Sequence, residues 1–135
     1  MSRMKTLVRV AELQEAVARG AAARALTAAR SAGATYDGEL AHLRSGGVVG
    51  GSREALTTST QQQLTRADAV AVAALAQEAA LRAQQQAVAG WTDARRRHRL
   101  FTELAERQRE EESRRRERAD QRLTDELAAS RREQR

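Results

Sequence analysis

Ser45, Gly46, Gly47, Gly50, Gly51 and Ser52 form the one strong interruption in this chain, with Val48 and Val49 between them. Paired glycines reach positive φ without steric cost and break helices. No proline occurs anywhere in the 135 residues, and the remaining glycines stand alone at 20, 33, 38 and 90. A long segment on each side of the break is therefore free to be helical. A short glycine-rich link between two long helices folds them back antiparallel.

Composition supports that topology. The apolar fraction is mostly Ala, 29 residues, and there is no Ile. Trp91, Tyr36 and Phe101 are the only aromatic residues. Ala is the best helix former but buries little surface. A globular core of ordinary thickness needs more large side chains than this chain owns. The thin layer between two paired helices needs the fewest.

Apolar spacing places the elements. Leu7, Val10, Leu13 (or Gln14), Val17, Ala21, Ala25, Ala28 (or Ala29) and Ala32 recur in steps of three and four, and Tyr36, Leu40 and Leu43 continue them. This predicts a first helix over about 3–44. After the link at 45–53, Leu56, Leu64, Ala67, Val70 (or Ala71), Ala74 (or Leu75), Leu81, Val88, Trp91, Ala94, Leu100 and Leu104 predict a second over about 54–131. The run from Thr57 to Thr60 is its weakest part, since these residues favour caps and turns, and Ser59 or Thr60 offers an alternative start. The fold class expected is all-α: a single two-helix antiparallel coiled-coil hairpin. The helices differ in length, so the second should overhang the first beyond about Arg96.

The expected overhang is highly charged. From Glu106 to Arg118, eleven of thirteen residues are charged and none is apolar. Glu110, Glu111 and Glu112 stand four residues before Arg114, Arg115 and Arg116, and Asp93–Arg97 and Glu103–Arg107 repeat the spacing. Each such pair adds roughly 0.2–0.5 kcal/mol to an exposed helix. The segment is either a solvated helix or a probe lying along a polar protein surface. Leu123, Leu127 and Ala128 restore a short apolar stripe at its end.

Catalytic and metal chemistry find little support. His42 and His98 are far apart in sequence, there is no Cys, and adjacent carboxylates on a helix point about 100° apart. The glycine cluster lacks the Lys-Ser/Thr that completes a phosphate loop. Neither a catalytic residue, a cofactor site nor a metal site is expected. The net charge is +6, but 24 bases are mixed with 18 acids. The run Arg95 to Arg99 lacks an aromatic platform for bases and a following leucine heptad. A basic helical nucleic-acid-binding protein remains an alternative, as does a generic coiled-coil adaptor. With no uninterrupted apolar stretch for a signal peptide and no span of roughly 18 uncharged apolar residues, a soluble cytoplasmic protein is expected.

The stretch from Trp91 to Gln108 resembles the second helix of the flagellar export protein FliJ family: a Trp, then basic residues, then the pair Leu100 and Leu104, then Glu106-Arg107-Gln108. The segment Asp120 to Leu127 resembles a later family element ending in Asp-Glu, here Asp125-Glu126. The start, Lys5 to Ala29, is similar to the family's Ala-rich first helix. The stretch from about 30 to 70 matches weakly. The resemblance implies a non-enzymatic part of the flagellar type III export apparatus, a coiled coil similar to the central stalk of rotary ATPases. It implies contact with the export ATPase ring, whose assembly or activity it promotes, and with the export-gate membrane protein. Export chaperones are further implied partners, and the cytoplasmic face of the flagellar basal body the implied location. By the match, Leu100, Leu104, Glu106, Arg107, Gln108, Asp120, Gln121, Asp125 and Glu126 would face the ATPase. Tyr36, Leu40, Leu43, Gln62, Arg66 and Ala69 would face the gate. Here the chain departs from the family, which often carries bulky apolar residues where this one has Gln62, Arg66, Ala69 and Ala73.

Overall fold

A computed structural model describes residues 3–47 and 50–135 and is all-α among them. Helix α1 runs Arg3–Ser45 and helix α2 runs Arg53–Glu133, forming an antiparallel hairpin. Both bounds lie within two residues of the sequence expectation. Val48 and Val49, in the middle of the expected link, lie outside the described residues.

Local chemistry fixes the inner helix ends. The hydroxyl of Ser45 donates to the carbonyl of His42 at 3.0 Å, and the Gly46 amide donates to Leu43 O at 3.3 Å. His42 and Arg44 bring basic side chains to the last turn of α1, where the helix dipole favours them. Ser52 caps α2: its side-chain oxygen accepts from the Ala55 amide at 3.1 Å, and Glu54 lies in the first turn. The alternative start at Ser59 or Thr60 is not used. Thr57, Thr60 and Thr65 lie inside the helix and donate their hydroxyls to the carbonyls of Arg53, Leu56 and Gln61. Each hydroxyl is satisfied within the helix, so the Thr-rich run does not break it.

The chain packs as two units, residues 1–15 with 94–135, and residues 16–93. In the loop-side unit (16–93), α1 turns Ala18, Ala22, Ala25, Ala29, Ala32, Tyr36 and Leu43 inward. From α2 come Val70, Ala73, Gln77, Ala80, Gln84, Ala87 and Trp91. The repeat is seven residues, with Ala at every seventh position on both helices: 18, 25 and 32, then 73, 80 and 87. A methyl side chain lets two backbones approach closely, so the layer gains dispersion contacts without bulky residues. A Cβ built on Gly33 would lie 3.4 Å from Gln77 Nε2. Near the loop, Gln63 Nε2 donates to Gly46 O at 2.7 Å, and a Cβ on Gly46 would collide with Gln63 and Arg66. Thus Gly46 lies opposite Gln63, not opposite the start of α2. The first ten or so residues of α2 run past the end of α1.

In the terminal unit (1–15 with 94–135), Met4, Val8, Ala11 and Glu15 face Ala94, His98, Phe101 and Ala105. Met4 and Lys5 share a depression with Gln108, Arg109 and Glu112. Helix α1 therefore covers α2 to about Glu112, and the overhang does not begin at Arg96. The expectation assumed that the helices pair from the link onward; the offset at Gly46 moves the pairing outward. From Glu106 every residue of α2 is exposed.

From Ala21 onward the expected stripe of α1 lies inward, at Ala21, Ala25, Ala29, Ala32, Tyr36, Leu40 and Leu43, but before it the buried face is not the one the large apolar residues mark. Leu7, Val10 and Leu13 are exposed, and Val17 is 70% exposed, whereas Ala11 is 2% exposed. On α2, Val70, Ala74, Trp91 and Ala94 lie inward as expected, but Leu56, Leu64, Ala67, Leu81, Val88, Leu100 and Leu104 do not. The Ala repeat wins because close approach along a whole helix collects more contact than a few larger residues held at greater spacing. Replacing Val17 by Ala should shift unfolding free energy by less than about 0.5 kcal/mol. Replacing Ala29 by Leu should destabilise by about 1–3 kcal/mol through overpacking, read by urea unfolding followed by circular dichroism.

Candidate protein-binding site

One polar contact sits within the packed layer of the terminal unit. His98 Nδ1 lies 2.5 Å from Glu15 Oε2, with the carboxylate side chain 11% exposed and the imidazole 29%. Around it Ala11, Ala94 and Ala105 pack with Met4, Val8 and Phe101, apolar contacts whose direction fixes no single register. A buried polar pair does, because a slip by one heptad leaves both groups unsatisfied. The sequence offers His98 no nearby partner, His42 being far away along the chain. The signal that would have found it is its place in the seven-residue series Trp91, His98, Ala105.

This pair fixes which sides of the terminal unit are which. Lys5, Arg9, Glu12, Thr102 and Glu106 each follow an inward residue and line one groove with Arg109, over a floor of Val8 and Ala105. Leu7 and Leu104 each precede an inward residue, which turns them to the opposite groove in an antiparallel pair. Val10 and Leu100 adjoin them on that side. One groove is thus charged, and the other sets Leu7, Val10, Leu100 and Leu104 among the polar residues Arg3, Gln14 and Arg97. Leu100 and Leu104 are 52% and 38% exposed.

Helix α2 then carries Glu106, Arg107, Gln108, Asp120, Gln121, Asp125 and Glu126, all exposed. Gln108 donates to Glu112 and Gln121 to Asp125, each at 3.2 Å. Of the expected ion pairs, Arg114 reaches Glu110 at 4.0 Å, and Ser113 donates to Glu117 at 3.3 Å. No ion pair joins Asp93 to Arg97, Glu103 to Arg107, Glu111 to Arg115 or Glu112 to Arg116 among the described residues. The cause is solvent: fully exposed ends gain little from pairing and lose rotamer freedom. Arg95, Arg96, Arg97 and Arg99 are exposed as well, and successive residues point about 100° apart.

The second candidate set lies in the loop-side unit. Tyr36, Leu40, Leu43, Arg66 and Ala69 are half-buried, and Gln62 is exposed. Tyr36 and Leu43 are part of the packed layer, and Arg66 is turned to Gly46. Gln62 and Arg66 share a shallow surface with His42, Thr58, Gln61 and Thr65. The expected set is therefore mostly packing, with Leu40 and Gln62 at its outer edge. Val88, expected in the layer beside Trp91, is exposed. Trp91 itself is in the layer, and its Nε1 is buried without a hydrogen-bond partner. The register set by Gly33 and Gln77 brings it to residues 19–22, where Gly20, Ala21 and Ala22 carry no acceptor side chain.

No three His, Cys, Asp or Glu side chains gather into a metal-binding group among the described residues, and no helix there is long and apolar enough to cross a membrane. No protein-family model, curated protein or solved structure matches the chain.

The polar pair should behave as a coupled unit. Glu15→Ala or His98→Ala should each cost about 1–3 kcal/mol, and the double variant should cost less than their sum, measured as a double-mutant cycle in urea. Trp91→Phe, which removes the unpaired N–H, should be nearly neutral. Trp91→Ala should cost roughly 2 kcal/mol from lost apolar burial, by the same assay.

Proposed function

We propose that this chain is a non-enzymatic, stalk-like component of a flagellar type III protein export apparatus. Its terminal unit binds the export ATPase ring and promotes its assembly or activity, and its loop-side unit reaches the export gate. The observation that carries the reading is the pairing of an uncovered apolar face at Leu100 and Leu104 with a long exposed helix of mixed charge. An exposed apolar patch rimmed by charge is the ordinary mark of a protein-binding surface. The resemblance of residues 91–108 and 120–127 to FliJ proteins supplies the identity of the partner. The geometry supports the ATPase-facing set better than the gate-facing one, because Tyr36, Leu43 and Arg66 are engaged within the hairpin and Leu40 and Gln62 remain to make contact. The reading places the chain on the cytoplasmic side of the flagellar basal body.

Purified chain, titrated at physiological salt into the export ATPase of the same organism, should stimulate ATP hydrolysis saturably. Leu100→Asp with Leu104→Asp should weaken that stimulation by about tenfold or more, as expected for two anchor residues at a contact. Helix content should be unchanged, since both side chains are exposed. Absence of both stimulation and binding would overturn the ATPase-facing role.

A further inference from the structure

In the loop-side unit, the outer face of α2 is apolar at its centre. Val70, Ala73, Gln77 and Ala80 turn toward α1. At about 100° per residue, their mean direction lies about 180° from Leu75. Leu75 therefore points straight away from α1, and it is 67% exposed, as is Val72 beside it. Ala71 and Ala79 are exposed on the two flanks of Leu75, so the face is low enough for another helix to approach closely. A charge stands at each end: Asp68 seven residues before Leu75, and Arg82 seven residues after it.

We propose that two copies of this chain pair antiparallel and back to back through this face of α2, with the two-fold axis at Leu75. The sequence is symmetric about Leu75 in the way such a pair requires. Leu75 meets the second copy's Leu75. Asp68 stands opposite the second copy's Arg82, and Arg82 opposite its Asp68. A two-fold axis perpendicular to both helices keeps each flank on its own side. Val72 and Ala79 share one flank, so each meets the other across the seam. Ala71 and Glu78 share the opposite flank and meet in the same way. All of these side chains lie within about 60° of the direction of Leu75, with Asp68 and Arg82 about 20° to either side of it. Helix α1 lies behind α2 in this unit, so it stays out of the seam.

Charge chooses the direction of pairing. Asp68 has no ion-pair partner in its own chain among the described residues. Arg82 is paired with Glu78 on the exposed surface, and its guanidinium has further N–H groups to donate. A second copy gives Asp68 its cation and sets Arg82 between two carboxylates. In-register parallel pairing instead sets Asp68 on Asp68 and Arg82 on Arg82, which opposes association. The seam uses none of the residues assigned above to the export ATPase or the export gate, so the pairing is independent of that reading.

Sedimentation of the full chain at low salt (about 50 mM) should show a dimer in place of the 14.8 kDa monomer, weakening as salt screens the end pairs. Val72→Asp with Leu75→Asp should yield a monomer of unchanged helix content, since both side chains are exposed. Asp68→Arg and Arg82→Asp should each weaken association about tenfold, because each turns both end pairs repulsive. An equimolar mixture of those two variants restores both pairs and should form a one-to-one dimer. The chain has no native Cys, so the axis can also be located by cross-linking. Leu75→Cys should give a disulfide-linked dimer on mild oxidation. Ala79→Cys should stay reduced, because its two copies lie about 12 Å apart along the seam. A wild-type chain that stays monomeric up to high micromolar concentration, a dimer that survives the Val72 and Leu75 changes, or equal cross-linking at 75 and 79 would overturn the pairing.

Discussion

Close approach of two alanine-lined helix faces is the constraint on which the rest depends. A layer built from methyl groups gains its energy from the number of contacts along the helices, not from the size of any one side chain. It tolerates no bulky intrusion, which is why Leu7, Val10, Leu13 and Val17 are turned outward. It also discriminates poorly between registers, because one Ala layer resembles the next. The directed contacts of the layer therefore carry the information: Glu15 with His98 in the terminal unit and Gln63 with Gly46 in the loop-side unit.

The displaced apolar residues have a second consequence. Side chains that would thicken a normal core lie instead on the surface of the hairpin. An apolar face left open on the terminal unit is a binding surface by its chemistry, and the charged extension beyond it adds selectivity through the order of its signs. The proposed ATPase contact draws on that arrangement.

Fold class and helix ends were legible in the sequence for simple reasons. Glycine clusters and the absence of proline are local signals, and the Ser52 cap and the end at Ser45 are set within a few residues. The buried face was not legible from hydrophobic size. Leu7 and Val17 mark a helical stripe as well as Ala11 and Ala18 do, and hydrophobicity favours the larger residues. Choosing correctly required reading the exact seven-residue recurrence of Ala, which pattern-matching by apolar size conceals. The overhang was expected too early because the offset between Gly46 and Gln63 is a tertiary contact that nothing in the link's composition encodes. For the candidate site, the charge of the residues from Glu106 onward marked them as exposed, whereas apolar spacing placed Leu100 and Leu104 in the layer and only the resemblance gave them to a partner. The His98–Glu15 contact was missed because partners 83 residues apart leave no local trace.

The account stands on the register of the terminal unit, and the absence of native Cys makes it directly measurable. Val8→Cys with Ala105→Cys places one thiol on each side of the same packed layer. Mild oxidation of that variant should form an intrachain disulfide rapidly and nearly completely. Val8→Cys with Gly90→Cys, the pairing that a tight hairpin without the loop-side offset would produce, should stay reduced. The opposite result, cross-linking at position 90 and not at 105, would contradict the alanine register and every assignment of the two grooves that follows from it.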